Sequence, residues 1–93
     1  MATKSIPDNI TVTVLLFGKA RELAGVAQVE VTVPSSLSYP TLKSLIFKSI
    51  GGLDSIFSSC MLAHNQTYLS HDDEQIHLSS TSELAIIPPL SGG

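Results

Sequence analysis

Two short segments near opposite ends of the sequence are apolar on both of their faces. From Ile10 the residues alternate, with Ile10, Val12, Val14 and Leu16 on one side and Thr11, Thr13, Leu15 and Phe17 on the other. That is the two-residue period of a strand rich in β-branched side chains. The second side begins polar and turns apolar at Leu15 and Phe17. Far downstream, Glu83 to Ile87 is a near-continuous apolar run. A strand with two apolar faces needs cover on both, which places it in the interior of a sheet. The first and last strands are therefore expected side by side and parallel at the centre of one sheet.

The residues between them complete the outline. Gly18 ends the first strand, and Lys19 to Ala24 make a short helical turn that Gly25 stops in a left-handed cap. Val29, Val31 and Val33 alternate with Gln28, Glu30 and Thr32, a strand with one wet face that Pro34 terminates. Leu42, Leu45, Ile46 and Ile50 fall at helical spacing before Gly51-Gly52. Ser38 or Thr41 is placed to cap that helix, with Pro40 in its first turn. A short strand is expected around Met61 to His64, then a turn at Asn65-Gln66, an extended piece at Tyr68-Leu69 and a weak strand at Ile76 to Leu78. The expectation is an α+β domain over residues 10–87. Its mixed sheet has strands near 10–17, 28–33, 60–64 and 83–88, and one main helix near 41–50 crosses one face. A polar lead-in (residues 1–9, broken by Pro7) precedes it, and a tail (residues 88–93) follows.

Composition narrows the function. Only 14% of the 93 residues are charged, against about 25% in a typical soluble domain. With a mean hydropathy of +0.30, too few charges are present to coat a small surface. Part of that surface is expected to lie under a partner, with hydroxyl-rich loops covering some of the deficit. A net charge of −3 lacks the basic footprint of a nucleic-acid or anionic-membrane binder. No apolar run approaches the roughly 20 residues of a membrane span, and Met1 to Asn9 contain no apolar signal-peptide segment. A single cysteine, Cys60, excludes an internal disulfide framework and a multi-cysteine zinc site. A reducing cytosolic setting is expected.

Side-chain chemistry is sparse. Cys60 and three histidines, His64, His71 and His77, are the candidates for a nucleophile relay. Cys60 precedes the apolar pair Met61-Leu62, where a small buried thiol is the ordinary structural solution. His71-Asp72-Asp73-Glu74 carries metal-capable groups, but consecutive residues converge poorly on one ion, and a solvated loop is expected. No resident metal is expected, and no phosphate-cradling glycine pattern is present. The feature with most chemical content is the tail Pro88-Pro89-Leu90-Ser91-Gly92-Gly93. Two prolines hold the exit from the last strand extended. Six extended residues reach about 20 Å, and a Gly-Gly end has no β-carbon to keep a carboxylate out of a narrow tunnel. A frayed terminus is the plain alternative.

Several stretches resemble one family. Leu84-Ala85-Ile86-Ile87-Pro88-Pro89-Leu90-Ser91-Gly92-Gly93 looks like the C-terminus of the molybdopterin synthase small subunits, sulfur carriers of molybdenum cofactor synthesis. Phe17-Gly18-Lys19-Ala20-Arg21-Glu22-Leu23-Ala24-Gly25 resembles that family's first strand and following turn. Ala63-His64-Asn65-Gln66-Thr67-Tyr68-Leu69 resembles its middle strand pair. The likeness spans residues 10–93. It departs at Ser80-Thr81-Ser82, where the family usually has a Gly-Asp turn.

The resemblance implies a β-grasp, ubiquitin-like fold and a reaction at the chain end. A ubiquitin-activating-type adenylyltransferase and sulfurtransferase uses ATP to adenylate Gly93, and a persulfide donor converts it to a thiocarboxylate (a 1-thioglycine). The large synthase subunit receives the tail and passes sulfur to cyclic pyranopterin monophosphate, forming the dithiolene. On this reading the chain binds no cofactor of its own. Because Leu15, Phe17 and Ile87 fall out of phase with the core set, Phe17 and Ile87, continuing into Pro88 and Leu90, are expected to form an apolar patch that docks the large subunit. A covering loop of the chain is the plain alternative. Pro89, Ser91 and Gly92 enter the partner with the tail. Three alternatives stay open: a ubiquitin-like modifier joined through Gly93, a β-grasp interaction module with an inert tail, and a thiamine-pathway sulfur carrier.

Overall fold

Alternation in the first strand sorts its side chains cleanly: Val12, Val14 and Leu16 are buried, while Thr11 is exposed and Leu15 half-buried. The computed structural model describes residues 9–70, 72 and 75–88. In chain order the elements are β1 (Asn9–Leu16), α1 (Gly18–Ala24), β2 (Gln28–Pro34), β3 (Ser36–Leu37), α2 (Tyr39–Ile50), a 3-10 helix (Asp54–Ser59), β4 (Met61–His64), β5 (Thr67–Tyr68), β6 (Ile76–His77) and β7 (Glu83–Ile87).

Five strands form one mixed sheet in the order β2-β1-β7-β4-β5. β1 and β7 lie parallel, with Thr13 opposite Glu83 and Leu16 opposite Ile86, as their two apolar faces require. β2 folds back antiparallel on β1, with Val12 opposite Val31 and Thr13 opposite Glu30. β4 runs antiparallel on the other side of β7, with Leu62 opposite Ile86 and Met61 opposite Ile87. One face of this sheet carries Val12, Val14, Leu16, Leu62, Leu84 and Ile86, all buried. α2 covers that face with Leu42 and Ile46 and adds Tyr39, Lys43 and Phe47 to the buried stripe. Burying a side chain of this size stabilises the fold by about 1.5–3 kcal/mol relative to leaving it exposed.

Turn chemistry sets the connections. Gly25 (φ +80°) caps α1 in the left-handed region, its N–H donating to the Arg21 carbonyl at 2.9 Å. Asn65 and Gln66 both have positive φ (50° and 72°), the conformation that a two-residue hairpin turn demands. Asn65 also ties this turn to β7: its Oδ1 accepts from the Glu83 N–H at 2.9 Å, and its own N–H donates to the Glu83 carbonyl at 2.8 Å.

The structure corrects several details. β1 ends at Leu16; Phe17, expected inside the strand, is the extended residue that starts α1. α2 begins at Tyr39, ahead of the expected 41, with Pro40 in its first turn. Ser38 occupies the capping position, but its hydroxyl donates to Thr41 Oγ1 at 3.0 Å instead of capping the backbone. Ile76-His77 pairs with Ser36-Leu37 in a separate two-stranded ribbon. The 3-10 helix Asp54–Ser59 brings Phe57 against Phe47 edge-on, their centroids 5.0 Å apart. Among the described residues no helix is long and apolar enough to cross a membrane.

Candidate functional site

α2 covers one face of the sheet and leaves the other open. Pairing register places Thr11, Thr13 and Leu15 of β1, Gln28, Glu30 and Thr32 of β2, and Glu83, Ala85 and Ile87 of β7 on this open face. Met61, Ala63 and Tyr68 join them from β4 and β5. The face is divided. Its β2 side is polar, with the Thr11 and Thr32 hydroxyls hydrogen-bonded at 3.0 Å. The half from which β7 leaves is apolar, and there Leu15, Phe17, Ala63, Tyr68, Ala85 and Ile87 line a shallow depression of about 270 Å³. Gln66 and Glu83 supply its polar rim. Phe17 is 46% exposed, Met61 45% and Tyr68 62%, so no described loop of the chain covers them. Phe17 and Ile87 thus line one depression, and sequence reading had missed Tyr68 and Met61 as their neighbours.

Pro88 leaves the sheet beside Gly18. A β-carbon built on Gly18 would lie 3.1 Å from Pro88 Cγ, and Gly18 has φ +52°. Glycine there admits both the close approach and the backbone turn that swings Phe17 onto the open face. Pro88 is half-buried. Pro89, Leu90, Ser91, Gly92 and Gly93 lie outside the described residues.

The other candidate groups do not converge. Cys60 is 3% exposed, and burial pushes its thiol pKa up, opposed by the nearby Lys43 ammonium. A thiol held protonated and buried is a poor nucleophile. Cys60 is therefore expected to react with iodoacetamide at neutral pH at least tenfold slower in the folded protein than in urea; equal rates in a mass-spectrometric time course would contradict this. His64 Nε2 lies 2.9 Å from the Ser82 hydroxyl, which also accepts the Ser79 N–H at 2.9 Å. Ser82 is buried, and hydroxyls tie the turn around Ser80-Thr81, with Ser79 Oγ accepting from the Thr81 N–H at 3.3 Å. His77 is exposed on β6. Of His71-Asp72-Asp73-Glu74, only Asp72 lies within the described residues. Among the described residues no three His, Cys, Asp or Glu side chains gather to hold a metal ion.

A mixed sheet of this order, crossed by one helix and left at its open end by a central parallel strand, defines a ubiquitin-like β-grasp domain. SAMP1 of Haloferax volcanii superposes with a TM-score of 0.70 at 21% identity, over 89% of this chain and 99% of that one. A chain of the protein–protein complex of subunits 1 and 2 of the molybdopterin-converting factor of Helicobacter pylori has the same fold (TM-score 0.62, 20% identity, 89% and 99% coverage). The ThiS family model matches residues 14–93. The molybdopterin synthase sulfur carrier subunit of Drosophila yakuba is 40% identical over 84 residues, 90% of this chain and 92% of that protein. The chain belongs to the ThiS family, among its molybdopterin synthase sulfur carrier subunits.

Proposed function

We propose that Gly93 is the reacting group of a molybdopterin synthase sulfur carrier. It is carried as a thiocarboxylate that supplies sulfur for the dithiolene of molybdopterin. The supporting observation is the 40% identity to a sulfur carrier subunit over 90% of the chain, with the family match running through Gly93. Carboxyl chemistry explains why activation comes first. A terminal carboxyl, with an ordinary pKa of about 3.3–3.7, is an anion at neutral pH and resists nucleophiles. Attack by its oxygen on the α-phosphorus of ATP releases pyrophosphate and leaves an acyl-adenylate. The terminal sulfur of a protein persulfide then displaces AMP to give an acyl disulfide, and a thiolate attacks the donor's own sulfur, forming a disulfide with it and releasing the thiocarboxylate. ATP belongs to the activating enzyme, and the acid–base groups for sulfur transfer belong to the large synthase subunit.

The apolar half of the open face fits this role as a docking surface for the large subunit, with Phe17, Ile87 and Pro88 beside the tail exit and Tyr68 and Met61 extending it. Its place at the end of β7 lets one partner grip the domain and receive Pro89 to Gly93 together. A cytosolic setting, where Cys60 stays a thiol, completes the reading. Intact-mass analysis of the protein from cells tests it: one oxygen replaced by sulfur, confined to the C-terminal peptide and reversed by hydrolysis. SAMP1, by name a small archaeal modifier protein, shares the fold and represents the rival reading. Gly-Gly remnants on many cellular lysines, with no thiocarboxylate on this chain, would favour that rival.

A further inference from the structure

Lys43 is a buried cation beside which the described residues place the Cys60 thiol and the Tyr39 phenol, both pushed by burial towards their neutral forms, and no carboxylate. It projects from α2 into the protein and is 5% exposed, although lysine is almost never fully buried unless paired. Nζ donates to the Cys60 carbonyl at 2.8 Å and lies 4.7 Å from the centroid of the Phe57 ring and 5.9 Å from that of Phe47. One carbonyl takes one of its three protons, and aromatic faces favour the charge without supplying an oxygen. The ion pair among the described residues, Lys19 with Glu22 at 3.8 Å, is on the exposed surface of α1.

Beside Lys43 is a pocket of about 280 Å³ at the open end of the β4–β5 hairpin. Tyr39, Met61 and Leu69 form its walls, and Ser58 and Ser70 lie along it. Apolar walls suit the methylene stem of a side chain, and a single ammonium suits a monoanion. Met61 is the link to the open face: it lines this pocket and stands opposite Ile87 across the β4–β7 pair. A protein lying on the apolar patch therefore reaches the pocket without a second contact surface.

We propose that this pocket receives an acidic side chain of the protein that docks on the open face, with the Lys43 ammonium as its counter-charge. The proposal rests on the reading of the patch as the surface that docks the large synthase subunit. Desolvation holds the Lys43 pKa below the ordinary lysine value. A carboxylate brought to Nζ reverses that shift, whereas an apolar cover over the pocket deepens it.

Binding to the large subunit, measured for the wild type, Lys43→Met and Phe17→Ala, separates the two claims. Exchanging a buried charge for an apolar chain of similar volume is compatible with folding, which circular dichroism checks. Lys43→Met is expected to weaken the complex about tenfold or more, because the partner's carboxylate then loses its counter-charge. In the wild type, the titration midpoint of the Lys43 ε-carbon, followed by 13C NMR, is expected to rise when the complex forms. Unchanged affinity in Lys43→Met with weakened binding in Phe17→Ala overturns the pocket assignment and leaves the docking reading intact. Weakened binding in Lys43→Met alone overturns the patch and with it the proposal, which needs a partner lying on the open face. Unchanged binding in both overturns both. If Lys43→Met does not fold, the wild-type midpoint decides: a value unchanged or lowered in the complex overturns the proposal.

Discussion

Adding one residue after Gly93 is expected to abolish sulfur transfer and leave the melting temperature of the domain unchanged. The two halves of this expectation have separate physical grounds. Adenylation needs a free carboxylate oxygen; an extra residue turns the Gly93 carboxyl into an amide and moves the only α-carboxylate onto a side-chain-bearing residue. The stability half rests on the core: the core side chains of β7 are Leu84 and Ile86, both fully buried and upstream of Pro88. Deleting Gly93 tests reach instead of chemistry. It keeps a terminal glycine carboxylate at Gly92 but shortens the tail by about 3.5 Å. Misplacing a reacting group by even about 1 Å can cost a hundredfold in rate, so the deletion is expected to lose at least that much. Molybdopterin formation by the reconstituted synthase measures both variants, and mass spectrometry verifies their ends. Full activity from an extended chain that has not been trimmed would remove Gly93 from the reaction.

The central strands are legible in sequence because their two-sided apolar character has one solution. Leu15 and Ile87 carry that apolar character onto the face that α2 leaves open, and the strands that bear them, β1 and β7, are the adjacent parallel pair of the sheet. The Asn65-Gln66 turn and the Gly25 cap are legible for a local reason, since each occupies a positive φ that few residues adopt. Phe17 was harder. At φ −125° its backbone is extended like a strand residue, so periodicity could not show that the turn at Gly18 had already begun. The β3–β6 ribbon has two residues per strand, too short for any period, and exists only because distant segments meet.

The site was half legible for similar reasons. Phe17 and Ile87 declare themselves by breaking phase with the core set. Met61 and Tyr68 join them only through cross-strand register, which no local pattern carries. Lys43 left a faint signal. Tyr39, Leu42, Lys43, Ile46 and Phe47 follow the three-and-four spacing of one helical face, so spacing puts Lys43 among the core positions despite its charge. What Lys43 faces depends on Phe57, delivered by a 3-10 helix that periodicity did not announce.

Two neighbouring isoleucines in β7 give the sharpest test of the division between core and docking face. Ile86 is fully buried between Leu16 and Leu62, whereas Ile87 is half-buried on the open face beside Phe17. Ile86→Ala leaves a cavity under α2, and such substitutions cost about 2–5 kcal/mol. That is a large share of the roughly 5–15 kcal/mol that holds a domain together. Ile87→Ala opens no closed cavity and is expected to cost less than about 1 kcal/mol of stability, as is Phe17→Ala. For binding the order reverses. Buried interface anchors often contribute over about 1 kcal/mol each, so Ile87→Ala and Phe17→Ala are expected to weaken the complex with the large subunit about fivefold or more. Denaturant unfolding and calorimetric titration read the two quantities on the same samples. If Ile87→Ala destabilised the fold as much as Ile86→Ala, the open face would not be open. If it folded normally and bound with unchanged affinity, as Phe17→Ala also did, the partner would lie elsewhere, and the patch would owe its exposure to something other than docking.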